Sequence, residues 1–178
     1  FLADKSLVVT LGDRGHRPNG QDINTHPGSI IRVKDDGSFA KDNPFSKSSN
    51  PDVKNVFSWG HRNVQGIALH KNAIWAVEHG PMGGCELNLI QPGKNYGWAD
   101  VTYGRNYVTG TKIGSGLETK EGIESPIYQW TPSNAPSSLM IYKSDLFPKW
   151  KNNFFVTSLT FNVITRLEFN GAAVGSEE

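Results

Sequence analysis

Between Gly60 and Tyr107 the chain reads GHRNVQGIALHKNAIWAVEHGPMGGCELNLIQPGKNYGWADVTYGRNY. Arg62 and Asn63 sit together at the end of a short predicted strand. Arginine grips a carboxylate with a planar fork of charge-assisted hydrogen bonds, and asparagine offers both a donor and an acceptor. Gly80-Pro81, followed by Gly83-Gly84, forms a tight loop that can turn backbone carbonyls toward a hard cation. Glu86 and the backbone around Tyr96 add oxygen ligands of the kind calcium takes. This set suits a flat, anionic, metal-assisted ligand held on loops. Each residue also has a plainer reading. A strand-end arginine can bind a neighbouring loop carbonyl, Gly-Pro is common in simple turns, and most glutamates are merely solvated.

Asp13 follows an apolar run and opens the turn GDRG. A carboxylate there can orient a histidine base, or it can cap its own turn. Trp59, Trp75, Tyr96, Trp98, Tyr103, Tyr107 and Trp130 make the region aromatic-rich. Aromatic rings stack on flat ligands but also fill cores. His61 and His79 read as structural. The chain has no P-loop, dinucleotide-binding glycine fingerprint, HExxH or GxSxG, so nucleotide, zinc-protease and serine-hydrolase chemistries lack support.

The elements that must position these residues are short strands closed by Gly, Asn, Asp or Pro. Clear runs are Leu7–Leu11, Ser29–Val33, Ile74–Val77, Leu87–Ile90, Phe154–Thr157 and Ile164–Phe169. Weaker ones are Val56–Trp59, Ile67–His70, Ile127–Trp130 and Leu139–Tyr142. No segment holds a 3.6-residue apolar period for three turns, so the chain is expected to be all-β with little helix. Strand pairs beginning near Leu7, Ile74 and Phe154 form a loose repeat separated by the long loops Asp13–Pro27, Ala40–Lys54 and Gly97–Glu124. Repeated small sheets with functional loops suit a β-propeller, and a β-sandwich would show similar alternation. Three units are fewer than the roughly four blades a propeller needs, so a partial propeller domain over residues 1–178 is expected. The start at Phe1, with no signal-peptide pattern, fits that expectation.

The chain has 178 residues, 37% hydrophobic and 20% charged, which argues for a packed core rather than disorder. Its net charge is +1 with Lys and Arg scattered, which argues against nucleic acid or an anionic membrane as main partner. No apolar run approaches the roughly 20 residues of a membrane span. Cys85 is the single cysteine and cannot form an internal disulfide.

The segments LVVTLGDRG, SIIRVKDDGSFAKDNPF, GHRNVQG, EHGPMGGCELN, PGKNYGW, APSS and NFFVTSL occur in an order and spacing that closely resemble those of one family. That family is the soluble pyrroloquinoline quinone (PQQ)-dependent aldose sugar dehydrogenases of the glucose/sorbosone dehydrogenase type. The resemblance runs from about Leu7 to Phe169. It implies a six-bladed β-propeller, with PQQ over its central face, of which this chain is about the middle three blades. It implies that Arg62, Asn63, Tyr107 and the Ser158-Leu159-Thr160 turn contact PQQ. It implies calcium at the carbonyls of Gly80 and Pro81, as in the glucose dehydrogenase branch, or at Glu86 and the Tyr96 carbonyl, as in the aldose dehydrogenase branch. Asp13 matches the aspartate that orients a catalytic histidine, which in the family lies before the point matching Phe1. The implied reaction is oxidation of an aldose at its C1 hydroxyl to a lactone, with hydride passing to PQQ. The resemblance also implies an external electron acceptor, a periplasmic or secreted location, and allows a homodimer. Two residues depart from the family pattern, which usually has Asp at Cys85 and Lys at Thr160. Those changes fit an alternative, a non-enzymatic β-propeller binding module that has lost its redox site. A calcium-dependent lactonase would need an axial cluster of Asp, Asn and Glu ligands that the sequence does not assemble.

Overall fold

Each apolar run punctuated by turn residues folds as a strand. The structure is a computed structural model that describes residues 1–171 and 173–178. Among those residues it contains eleven strands, three short 3-10 turns and no α-helix. The first sheet joins β1 (Leu7–Thr10), β2 (Ser29–Val33) and β3 (Val56–Trp59). The second joins β4 (Val64–His70), β5 (Ala73–Glu78), β6 (Cys85–Ile90) and β7 (Tyr128–Trp130). The third joins β8 (Pro136–Ile141), β9 (Phe154–Ser158), β10 (Val163–Phe169) and β11 (Val174–Glu177). Every pairing is antiparallel between strands consecutive in the chain. Three sequential meanders are the arrangement of radially repeated sheets, whereas a sandwich packs two sheets with Greek-key crossings.

All ten predicted runs are strands, but the repeat has a different phase. The second and third sheets begin at Val64 and Pro136, not near Ile74 and Phe154. The reason is local. β4 and β8 both open with a register shift, between Val64 and Gly66 and between Pro136 and Ser138. A bulge inserts a residue out of register and breaks the apolar alternation that marks a strand. β11, with the sequence VGSE, has one apolar residue and shows no such alternation.

The first strands of the second and third sheets, the edge strands β4 and β8, pack on each other. Gly66 permits this approach, because a Cβ there would lie 2.6 Å from the Leu139 nitrogen and 2.8 Å from the Ser138 carbonyl carbon. Between these sheets Trp75, Leu87, Phe154, Val156 and Leu167 form a buried core. Trp75, Phe154 and Phe169 meet edge to face with centroids 4.8 to 5.0 Å apart. A second core between the first two sheets contains Ile30, Phe57, Val64, Ile74 and Ile90.

The segment before β1 is tied to the first sheet by Arg32. Its guanidinium donates to Asp4 Oδ2 at 2.5 Å, to Asp42 Oδ2 at 3.1 Å and, through Nε, to Ser6 Oγ at 2.8 Å. The Ser6 hydroxyl and N–H, then Arg32, lower the Asp4 carboxyl from 3.8 to about 2. The folded state thus favours the charged form. This contribution is present above pH 3.8 and is lost as pH falls through about 2. Asp4 is solvent-exposed, so the effect is modest. Urea midpoints measured across pH 5 to 2 are expected to fall less in Asp4→Asn than in the wild type, on the order of one carboxylate's share of the slope.

Candidate functional site

The strand registers carry the chemically interesting residues to one end of the sheets. Val64, Glu78 and Glu86 are successive partners at that end of the second sheet, as are Pro136, Ser158 and Val163 in the third. In the first sheet the same end holds Thr10, Ile30 and Trp59. Loops leaving these positions are joined across sheets. The Asp13 N–H donates to the Arg62 carbonyl at 2.9 Å. His79 Nε2 meets the Pro136 carbonyl at 2.9 Å, and Thr160 N–H donates to the Asn134 carbonyl at 3.4 Å.

Arg62 lies between β3 and β4, with its guanidinium over the Trp98 ring at 5.5 Å. It donates to the His79 carbonyl at 3.1 Å and lies 3.5 Å from the Tyr107 hydroxyl. The loop-carbonyl contact foreseen as the plainer reading is therefore present. Among the described residues, no carboxylate forms an ion pair with this guanidinium. Asn63 Oδ1 accepts from Gln65 at 2.8 Å, and its carbonyl accepts the His79 N–H at 3.0 Å. Tyr107 is 64% exposed, and Leu159 and Thr160 are exposed too. The Ser158 hydroxyl donates to the Asn134 carbonyl at 2.5 Å. The structure thus gathers Arg62, Asn63 and Tyr107 and connects them, through His79 and the Asn134–Pro136 segment, to the Ser158–Thr160 turn.

Asp13 is buried and carries out the turn role, with Oδ1 accepting the Gly15 N–H at 2.9 Å. Its other oxygen accepts the Trp98 indole N–H at 2.7 Å. The carboxylate therefore holds the ring on which the Arg62 guanidinium rests.

Beneath the open face runs a buried polar row that the sequence reading did not foresee. Ser58 Oγ meets His61 Nε2 at 2.9 Å, and His61 Nδ1 meets Glu78 Oε1 at 2.9 Å. Asn88 Nδ2 donates to Glu78 Oε1 at 3.1 Å and to Glu86 Oε2 at 3.0 Å. The hydroxyl–imidazole–carboxylate order resembles a hydrolytic triad, but His61 is 0% exposed and stacks on Tyr96, so no substrate reaches it. Burial penalises the Glu78 charge, yet His61 and the N–H groups of Arg62 and Asn63 outweigh it and hold the carboxyl low. For Glu86, burial and then the Glu78 charge push the carboxyl up to about 8.

Glu78, Glu86, Gly80, Gly84, Tyr96 and Thr102 line a cavity of about 10 Å³, roughly the space of one small sphere. No hydrogen-bond donor among the described residues reaches the Tyr96 carbonyl. A cavity for one ion, beside a carboxylate destabilised by a like charge, fits a divalent cation. The Gly80-Pro81 carbonyls are less free. Pro81 O accepts the Arg105 N–H at 2.8 Å, and Gly80 O faces the Cys85 thiol at 3.9 Å. Cys85 is fully buried, lies 2.9 Å from Ser133 Oγ and accepts the Gly80 N–H at 3.4 Å. It thus anchors the turn at Gly80, where a Cβ would fall 2.1 Å from the Gly83 carbonyl oxygen.

Asn134 is 4% exposed, and neither polar atom of its side chain has a partner among the described residues. An unpaired buried amide costs about 1–3 kcal/mol. Asn134→Leu, close in shape, is expected to raise stability in urea unfolding by about 1–2 kcal/mol.

Across residues 1–178 the chain matches the family model described as glucose/sorbosone dehydrogenase. The chain belongs to the glucose/sorbosone dehydrogenase family. Within that family it is 40% identical over 171 residues to the aldose sugar dehydrogenase YliI of Escherichia coli, covering 94% of this chain and 46% of that protein. The fold of a glucose dehydrogenase crystal structure superposes with a TM-score of 0.94 at 37% identity, over 100% of this chain and 52% of the other. The PQQ-bound aldose sugar dehydrogenase of Streptomyces coelicolor gives a TM-score of 0.76 at 29% identity, over 100% and 46%. The chain thus spans about half the length of the family members it matches. No helix among the described residues is long and apolar enough to cross a membrane.

Proposed function

We propose that this chain is the middle three blades of a six-bladed propeller that oxidises the C1 hydroxyl of aldoses to lactones with PQQ and calcium. The observation that carries the proposal is the Arg62 guanidinium, partly exposed beside Trp98 and Tyr107 with no carboxylate partner among the described residues. A flat cofactor bearing carboxylates fits that surface, because the fork of arginine and an adjacent ring match its charge and shape. The PQQ-bound relative supports the reading. When bound, PQQ would supply the two-electron acceptor that no side chain provides.

The chain's own groups would bind and orient. Arg62 would grip a cofactor carboxylate, with Asn63 and Tyr107 beside it and the Ser158-Leu159-Thr160 turn across the face. Thr160 brings no charge, so Arg62 would carry more of the electrostatic binding than in relatives with a lysine there. Asp13 would orient a catalytic histidine, since each carboxylate oxygen has one donor among the described residues and retains a further lone pair. Glu86 and the Tyr96 carbonyl fit calcium better than Gly80 and Pro81, because the Pro81 carbonyl already accepts the Arg105 N–H while the destabilised Glu86 carboxylate lines the cavity. An external electron acceptor, a periplasmic or secreted location and a homodimer belong to the same proposal.

The test is reconstitution of the whole protein with PQQ and calcium, followed by reduction of an electron-accepting dye with a panel of aldoses. Sugar-dependent reduction that requires both additions is expected. No reduction with any aldose would leave the non-enzymatic propeller as the better reading.

A further inference from the structure

The buried Glu78 carboxylate lines the small cavity and also touches the backbone of the residues proposed to grip the cofactor. We infer that Glu78 is the positioning residue for the Arg62–Asn63 pair, acting as a buried template for their backbone. The inference rests on the PQQ reading only for its functional consequence.

The chain leaves β3 at Gly60, where φ is 81°, and joins the β4 ladder only at Val64. Residues 61–63 therefore cross a gap in which their N–H groups have no ladder partner. The His61 N–H reaches the Gly28 carbonyl at 3.0 Å. Glu78 serves Arg62, accepting its N–H through Oε2 at 2.9 Å, and the neighbouring Asn63 N–H helps to hold the same carboxyl low. Its other oxygen is held by His61 Nδ1 and Asn88 Nδ2, so the carboxylate cannot swing away. His61 is itself clamped by the Ser58 hydroxyl and by stacking on Tyr96 at 4.7 Å. An ionised carboxylate accepts from all three of these donors on its two oxygens. A glutamine offers one oxygen and would present N–H groups to N–H groups. The exposed Arg62 side chain is thus aimed by a backbone fixed from below, at the 4% exposed Glu78.

Two measurements on Glu78→Gln in the whole protein test this. Amide hydrogen exchange at Arg62 is expected to accelerate about tenfold or more, as a charge-assisted bond is lost. PQQ affinity, read by equilibrium binding to the metal-reconstituted apoprotein, is expected to weaken about tenfold. The loss should be small when Arg62 is already alanine, because both changes act through one contact. Unchanged exchange at the Arg62 amide, or an affinity loss additive with that of Arg62→Ala, would overturn the inference. If Glu78→Gln does not fold, Glu78→Asp keeps the charge on a shorter stem, and the same two readouts decide. If the wild type binds no PQQ, the functional reading fails while the exchange measurement still decides the positioning role.

Discussion

Arg62→Ala is expected to weaken PQQ binding by about 2–3 kcal/mol, roughly 30- to 150-fold. The guanidinium is the cation that the cluster of Trp98, Tyr107 and Asn63 leaves without a carboxylate among the described residues. Removing it discards charge and geometry together. Arg62→Lys should retain the charge but lose the planar fork, giving an intermediate affinity. Stability should change by less than about 1 kcal/mol in both variants, because a partly exposed side chain contributes little to folding. Equilibrium binding to the apoprotein separates these outcomes. An unaltered affinity in Arg62→Ala would place the anion-binding group elsewhere.

Phe154→Ala is expected to cost about 3–5 kcal/mol of stability, measured by urea unfolding of the whole protein. Phe154 is 0% exposed and meets both Trp75 and Phe169, so its ring bridges the second and third sheets. Nothing nearby can collapse into the space, because Trp75 and Phe169 are themselves only 5.0 Å apart. Its neighbour Phe155 points to the opposite face of β9, is only half-buried, and packs near Tyr142 and Trp150. Phe155→Ala should cost distinctly less, on the order of half as much. Equal costs would mean that the inter-sheet cluster is not the dominant core.

The strands were legible because their signals are local. An apolar run closed by a Gly, Asn, Asp or Pro turn needs no distant partner to be recognised. The phase of the repeat was not legible, because β4 and β8 open with bulges and β8 starts with Pro-Ser-Ser. β11 was missed because VGSE forms a strand only by pairing with β10.

The candidate site divides along the same line. By itself the sequence carried an all-β chain, the family, and the candidate residues Arg62, Asn63, Tyr107, Gly80-Pro81 and Glu86, since each sits in a short contiguous motif. Their supports came only from the tertiary structure. Glu78 reaches Arg62 from sixteen residues away, and Trp98 reaches Asp13 across 85 residues. The structure also supplied the contacts of Asp13, Cys85 and His61, which no local pattern carried: Gly15 and Trp98 on Asp13, Gly80 and Ser133 on Cys85, and Ser58 and Glu78 on His61. The reason is geometric. Strand register sets which side chains share one end of a sheet, and a shift of one residue would turn each of them to the other face.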